Sequence, residues 1–114
     1  MKAFELTVQH PDFDTVQVAL QGPLDLARAY DFDDAMRRIE RDAPGRLMID
    51  LRGVEFLDTT GLARLLAVRR RCRRAGRRLV LVRGPRAVQR IFSLAALDDQ
   101  FETVGDPTDE LVPR

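Results

Sequence analysis

Residues 47–62 read Leu47-Met48-Ile49-Asp50-Leu51-Arg52-Gly53-Val54-Glu55-Phe56-Leu57-Asp58-Thr59-Thr60-Gly61-Leu62. The first five form a short, nearly continuous apolar run, the pattern of a strand covered on both faces. Arg52 to Leu57 reads as a short loop. Asp58, Thr59, Thr60 and Gly61 then supply N-cap residue types directly before a helical run, in which Leu62, Leu65, Leu66, Val68 and Cys72 share a stripe. A buried strand feeding a capped helix is the repeating unit of an α/β domain.

The flanks repeat the unit. Downstream, Gly76 ends the helix, Leu79-Val80-Leu81-Val82 is a second buried strand, and Pro85 takes the first position of a third helix. Val88, Ile91, Phe92 and Ala95 form its stripe, and Phe101–Val104 is a last edge strand. Upstream, Phe32, Ala35, Met36 and Ile39 mark a helix from Leu26 to Arg41, stopped by Pro44-Gly45. Before it, Phe4, Leu6 and Val8 alternate with polar residues, as do Val16, Val18 and Leu20. The stretch His10–Asp14 makes a turn between them, and Gly22-Pro23 breaks the second run. The order is β-β-α-β-α-β-α-β. Right-handed crossovers then give an α/β fold in one domain, with a mixed sheet of about four to five strands and helices packed mainly on one face.

With 114 residues, 45% of them hydrophobic and 32% charged, a single core is feasible without covalent or metal staples. No apolar run exceeds four residues, and the N-terminus has no hydrophobic leader. One cysteine, Cys72, excludes an internal disulfide and any multi-cysteine zinc site. One histidine, His10, leaves His-based nucleophilic catalysis poorly supplied. The expectations are a cytoplasmic protein with no catalytic residue, no metal and no cofactor. Leu111-Val112-Pro113-Arg114 looks like the remnant of a thrombin cleavage site, which leaves 1–110 as the domain.

The net charge of +1 hides a segregation. Residues 1–58 carry seven basic and twelve acidic residues, residues 59–97 carry eleven arginines and no acid, and residues 98–114 carry one base and six acids. Such a block is either a polyanion footprint or a solvated helix face in a chain with 18 arginines and one lysine. Arg64, Arg70, Arg71 and Arg74 point away from the apolar stripe, whereas Arg69 falls inside it and must snorkel. No aromatic residue interleaves these arginines, so base stacking is not indicated.

Neither G-x-x-x-x-G-K-[ST] nor G-x-G-x-x-G occurs, so the glycine pattern gives no support to nucleotide cradling. Phe56-Leu57-Asp58-Thr59 resembles the apolar-Asp-Thr-Gly segment of aspartic proteases. A second threonine intervenes here, however, and the paired-carboxylate mechanism would need a second chain.

Taken in order, Gly22-Pro23-Leu24-Asp25-Leu26, then Met48–Leu51 running through Phe56–Leu62, then Gly76–Val82, then Pro85–Val88 with Arg90, Ile91, Phe92 and Leu97, resemble the STAS domains. The similarity is to the stand-alone anti-sigma factor antagonists and covers residues 4–104. The resemblance implies that the unphosphorylated form binds a serine/threonine-kinase anti-sigma factor and frees a sigma factor. It makes Thr59 the phosphoacceptor, with Thr60 competing, and surrounds it with Asp25, Asp58, Gly61, Leu62 and Arg64. A PPM-type phosphatase is the class of enzyme that would reset it. Nucleic acid and membrane insertion are not expected. The alternative is an accessory subunit of a lipid or anion transport complex, or a stressosome-like scaffold.

Overall fold

The alternation in the first twenty positions becomes two antiparallel strands, β1 (Glu5–Asp12) and β2 (Thr15–Leu24). The structure is a computed structural model and describes residues 3–42 and 44–111. The turn expected over five residues shrinks to Phe13 and Asp14, whose amide donates to Asp12 Oδ1 at 2.9 Å. Pro11 stays within β1 because an edge strand tolerates a missing amide, and the register slips between Gln9 and Asp12. Gly22-Pro23 does not break β2. Gly22 takes a φ of 82°, the register shifts on either side, and pairing continues to Leu24 opposite Leu57.

The remaining elements are α1 (Ala29–Arg41), β3 (Arg46–Leu57), α2 (Thr59–Arg74), β4 (Arg78–Val82), α3 (Arg86–Leu94), β5 (Glu102–Val104) and a single turn, α4 (Thr108–Leu111). The sheet runs in the order β1-β2-β3-β4-β5, parallel from β2 onward. Each crossover steps in the same direction, so right-handedness places α1, α2 and α3 on one face. There Val18, Leu20, Leu47, Ile49 and Leu81 meet Phe32 and Met36 of α1, Leu65, Val68 and Cys72 of α2, and Phe92 of α3. Phe92 also meets Phe101 edge-on at 5.5 Å. Met48, Val80 and Val82 point to the opposite face and are buried outside that cluster. That is why the strands read as continuous apolar runs.

Several boundaries move. The loop expected at 52–57 is the second half of β3, paired with β2 alone beyond Asp50. The first helix starts at Ala29, because Asp25–Arg28 form a turn closed by Arg28 N–H donating to the Asp25 carbonyl at 3.1 Å. Pro85 is the N-cap of α3, one position before its first turn. At the end of α2, Arg77 N–H donates to Cys72 O at 2.8 Å and Gly76 N–H to Arg73 O at 3.2 Å, the paired bonds that close a helix on glycine.

Arg71 is the larger correction. The sequence sets it on the open basic face, but it turns inward to α1. Its Nε and Nη2 donate to the two carboxylate oxygens of Glu40 at 2.7 and 2.9 Å, and its Nη1 donates to Asp33 Oδ1 at 3.2 Å. The set Arg64, Arg70, Arg71 and Arg74 is therefore not one open surface. The cleavage-site remnant expected at 111–114 falls on Leu111, which closes α4, and on residues 112–114, which lie outside the described residues.

Candidate functional site

Two parallel strands end side by side at Leu24 and Leu57, and the chain leaves both toward helices. Ligand and partner sites in α/β sheets gather outside such carboxyl ends. Asp58 follows Leu57 directly in extended backbone (φ −107°, ψ −178°) and caps α2, Oδ1 accepting the Gly61 amide at 2.9 Å. Its other oxygen, Oδ2, accepts the Leu26 amide at 3.2 Å. One carboxylate therefore fixes both the start of α2 and the turn that enters α1.

Gly61 makes this junction close. A Cβ there would lie 2.2 Å from the Leu24 carbonyl oxygen and 2.8 Å from Leu57 Cδ1. The helix start rests directly on the end of β2. Thr59, the first residue of α2, is exposed, and Thr60 is half-buried.

Asp25 is half-buried and engaged locally. It accepts the Arg28 amide at 3.2 Å and pairs with the Arg28 guanidinium at 3.2 Å. Arg64 is half-buried and lines a shallow pocket with Leu26, Ala29, Tyr30 and Thr60. Leu62 is buried in the core and presents no surface to a partner. The structure thus brings Asp25, Asp58, Thr59, Thr60, Gly61 and Arg64 to one end of the domain, with Leu62 beneath.

The sequence reading missed the apolar rim of this end. Leu26 is 65% exposed, Tyr30 79% and Phe56 47%. The spacing places Leu26 inside the helix, and a lone tyrosine between aligned apolar positions gives no sign that it faces water. Phe56 and Leu57 lie together with Ala87, Val88 and Ile91 of α3 around a second shallow groove. Among the described residues, no three His, Cys, Asp or Glu side chains gather as a metal site. No helix among them is long and apolar enough to cross a membrane.

A family model described as "Mlab, STAS domain" matches residues 8–112. The chain belongs to the STAS family. Over 99 residues, this STAS protein is 31% identical to the anti-sigma-F factor antagonist RsfA of Mycobacterium tuberculosis, spanning 85% of this chain and 77% of that one. It superposes on the crystal structure of an anti-sigma factor antagonist from Mycobacterium paratuberculosis with a TM-score of 0.80, at 30% identity over 96% of this chain and 92% of the other. It shares its fold with SpoIIAA in the unphosphorylated form, with a TM-score of 0.77 at 18% identity over 96% and 93% of the two chains.

Proposed function

We propose that this STAS protein is an anti-sigma factor antagonist. In its unmodified form it binds an anti-sigma factor of the serine/threonine-kinase class and so frees the sigma factor. Phosphorylation of Thr59 switches that binding off. The observation that carries the reading is the exposure of Thr59 at the first position of α2, directly after the Asp58 cap that also holds the Leu26 turn.

The chemistry divides between the two proteins. The kinase transfers the γ-phosphoryl group of ATP to Thr59 Oγ1. The bond from that phosphorus to the ADP oxygen breaks, and the hydroxyl proton passes to the kinase's own base. This chain supplies the positioned alcohol and needs no catalytic group.

The phosphate adds about −1.5 to −2 charges. At a helix N-terminus it gains roughly 0.3–1 kcal/mol from the dipole, which the neighbouring Asp58 offsets, so the fold is retained. In a docked interface the same group brings bulk, desolvation and repulsion. A loss of about 3 kcal/mol weakens binding on the order of a hundredfold. Thr59 serves better than Thr60 because Thr60 turns toward the pocket shared with Tyr30 and Arg64. A PPM-type phosphatase would restore the binding form, and the cytoplasm is the compartment such a switch requires.

The test is incubation with the cognate kinase and Mg-ATP, followed by mass spectrometry and a binding titration. Label is expected on Thr59, Thr59→Glu should lose the partner, and Thr59→Ala should stay bound and resist release. A Thr59→Glu variant that binds as tightly as the unmodified protein would overturn the reading. The alternative reading is an accessory subunit of a lipid or anion transport complex, or a stressosome-like scaffold. Copurification with a transporter ATPase in place of a kinase would select it.

A further inference from the structure

Arg69 breaks the pattern that its helix otherwise keeps. It lies four residues after Leu65 and three before Cys72, both buried in the core, yet it is a half-buried arginine with no carboxylate partner among the described residues. Its stem lies along the apolar stripe, and its guanidinium has no ion pair among the described residues to hold it. Violations of a local rule of this kind concentrate at functional sites. Arg73, one turn on, also has no ion pair among the described residues, so two like charges share a helix face at the spacing where they repel. The helix dipole favours Arg73 and Arg74 in the last turn, but Arg69 lies before it.

Both arginines line a cleft of about 240 Å³ between the C-terminal half of α2, the start of β4 and the approach to β5. Arg77 and Arg78 complete the basic wall, and Leu79 and Phe101 contribute an apolar one. The acidic residue of the lining, Glu102, is held by Arg78, whose Nε donates to its Oε1 at 2.9 Å. Arg77 donates to the carbonyls of Pro44 and Glu40 at 2.7 and 3.2 Å. Cys72, also in the wall, adds no negative charge, because burial raises its thiol. The cleft therefore carries uncompensated positive charge.

We propose that this cleft binds a small phosphate-bearing anion, held by the forked donors of Arg69 and Arg73. Planar guanidinium groups match phosphate oxygens in charge and geometry, and the Leu79–Phe101 wall leaves an apolar flank for the rest of the ligand. Its two arginines lie about 15 and 21 Å along α2 from Thr59.

The test is thermal unfolding and calorimetric titration of the full chain with pyrophosphate and with ATP, against sodium chloride at matched ionic strength. Both anions should raise the melting temperature beyond the chloride control. Tighter binding of ATP would identify a nucleotide as the ligand, and equal binding the phosphate groups alone. Arg69→Leu completes the apolar stripe, so it should raise the melting temperature of the unliganded protein and abolish the anion-induced rise. Arg73→Glu should weaken binding roughly tenfold or more. A wild-type shift no larger than the chloride control, or a shift retained in Arg69→Leu, would overturn the proposal. Loss or survival of kinase binding by Thr59 is a separate readout that neither result alters.

Discussion

Asp58 Oδ2 accepts the amide of Leu26 at 3.2 Å, joining positions 32 residues apart, while Oδ1 caps α2. The bond ties the turn carrying Leu26, which leads into α1 and Tyr30, to the start of α2. One carboxylate therefore couples the Leu26 turn to the first turn of α2.

Asp58→Ala should lose the cap and the tie together, lowering stability by about 1–2 kcal/mol. Asp58→Asn keeps a side-chain oxygen and should lose less. Urea unfolding measures both, and amide exchange at Leu26 should quicken in Asp58→Ala while exchange in β4 stays slow.

Gly61→Ala pits two effects against each other. In an ordinary helix the change gains up to about 1 kcal/mol. Here the new methyl meets a carbonyl oxygen at 2.2 Å, and displacing backbone in a packed junction costs roughly 1–3 kcal/mol. Net destabilisation is expected in denaturant titration, and an Ala variant as stable as wild type would disprove the close contact.

Asp33 sets an acid limb on stability. Burial works against its ionisation, yet the hydrogen bond from Arg37 and the charges of Arg71 and Arg37 outweigh burial and hold its carboxyl below the ordinary value of 3.8. A lowered folded-state value means the contribution is present above pH 3.8 and fades as the pH falls through the lowered value. Asp33→Asn should be less stable than wild type by about 1–2 kcal/mol near neutrality. The two unfolding curves should converge as the pH drops below that window.

Ala96 follows α3 with a φ of 56°, and Leu97 N–H donates to Phe92 O at 2.9 Å. A left-handed alanine costs roughly 1–2 kcal/mol, while glycine adds up to about 1 kcal/mol of unfolded-chain entropy. Ala96→Gly should therefore stabilise the protein by about 0.5–1 kcal/mol, seen as a higher melting temperature.

The elements themselves were legible because apolar spacing changes between strand and helix, and the start of α2 was legible because Asp58 and Gly61 bracket it after a buried strand. The role of Thr59 is what the resemblance to the STAS antagonists implies, and no local pattern carries it. Boundaries failed where backbone geometry overrides residue type. Gly22-Pro23 looks like a break, yet a positive φ and a register slip let β2 continue past it. Residues 52–57 look like a loop because Arg52, Gly53 and Glu55 interrupt the apolar run, although β2 still pairs with them. Arg71 was misread because its partners lie 31 and 38 positions away, and no periodicity within one helix records a bond to another.

The strand order follows the chain order, and this has a consequence for synthesis. Each strand lies beside the one made just before it, so a chain emerging from the ribosome meets its neighbour once the intervening helix is out. The seam between Leu24 and Leu57 can close while the arginine-dense half is still in the exit tunnel. The paired ends of β2 and β3 are thereby in place before most of the polycation arrives to compete for the carboxylates of the first half.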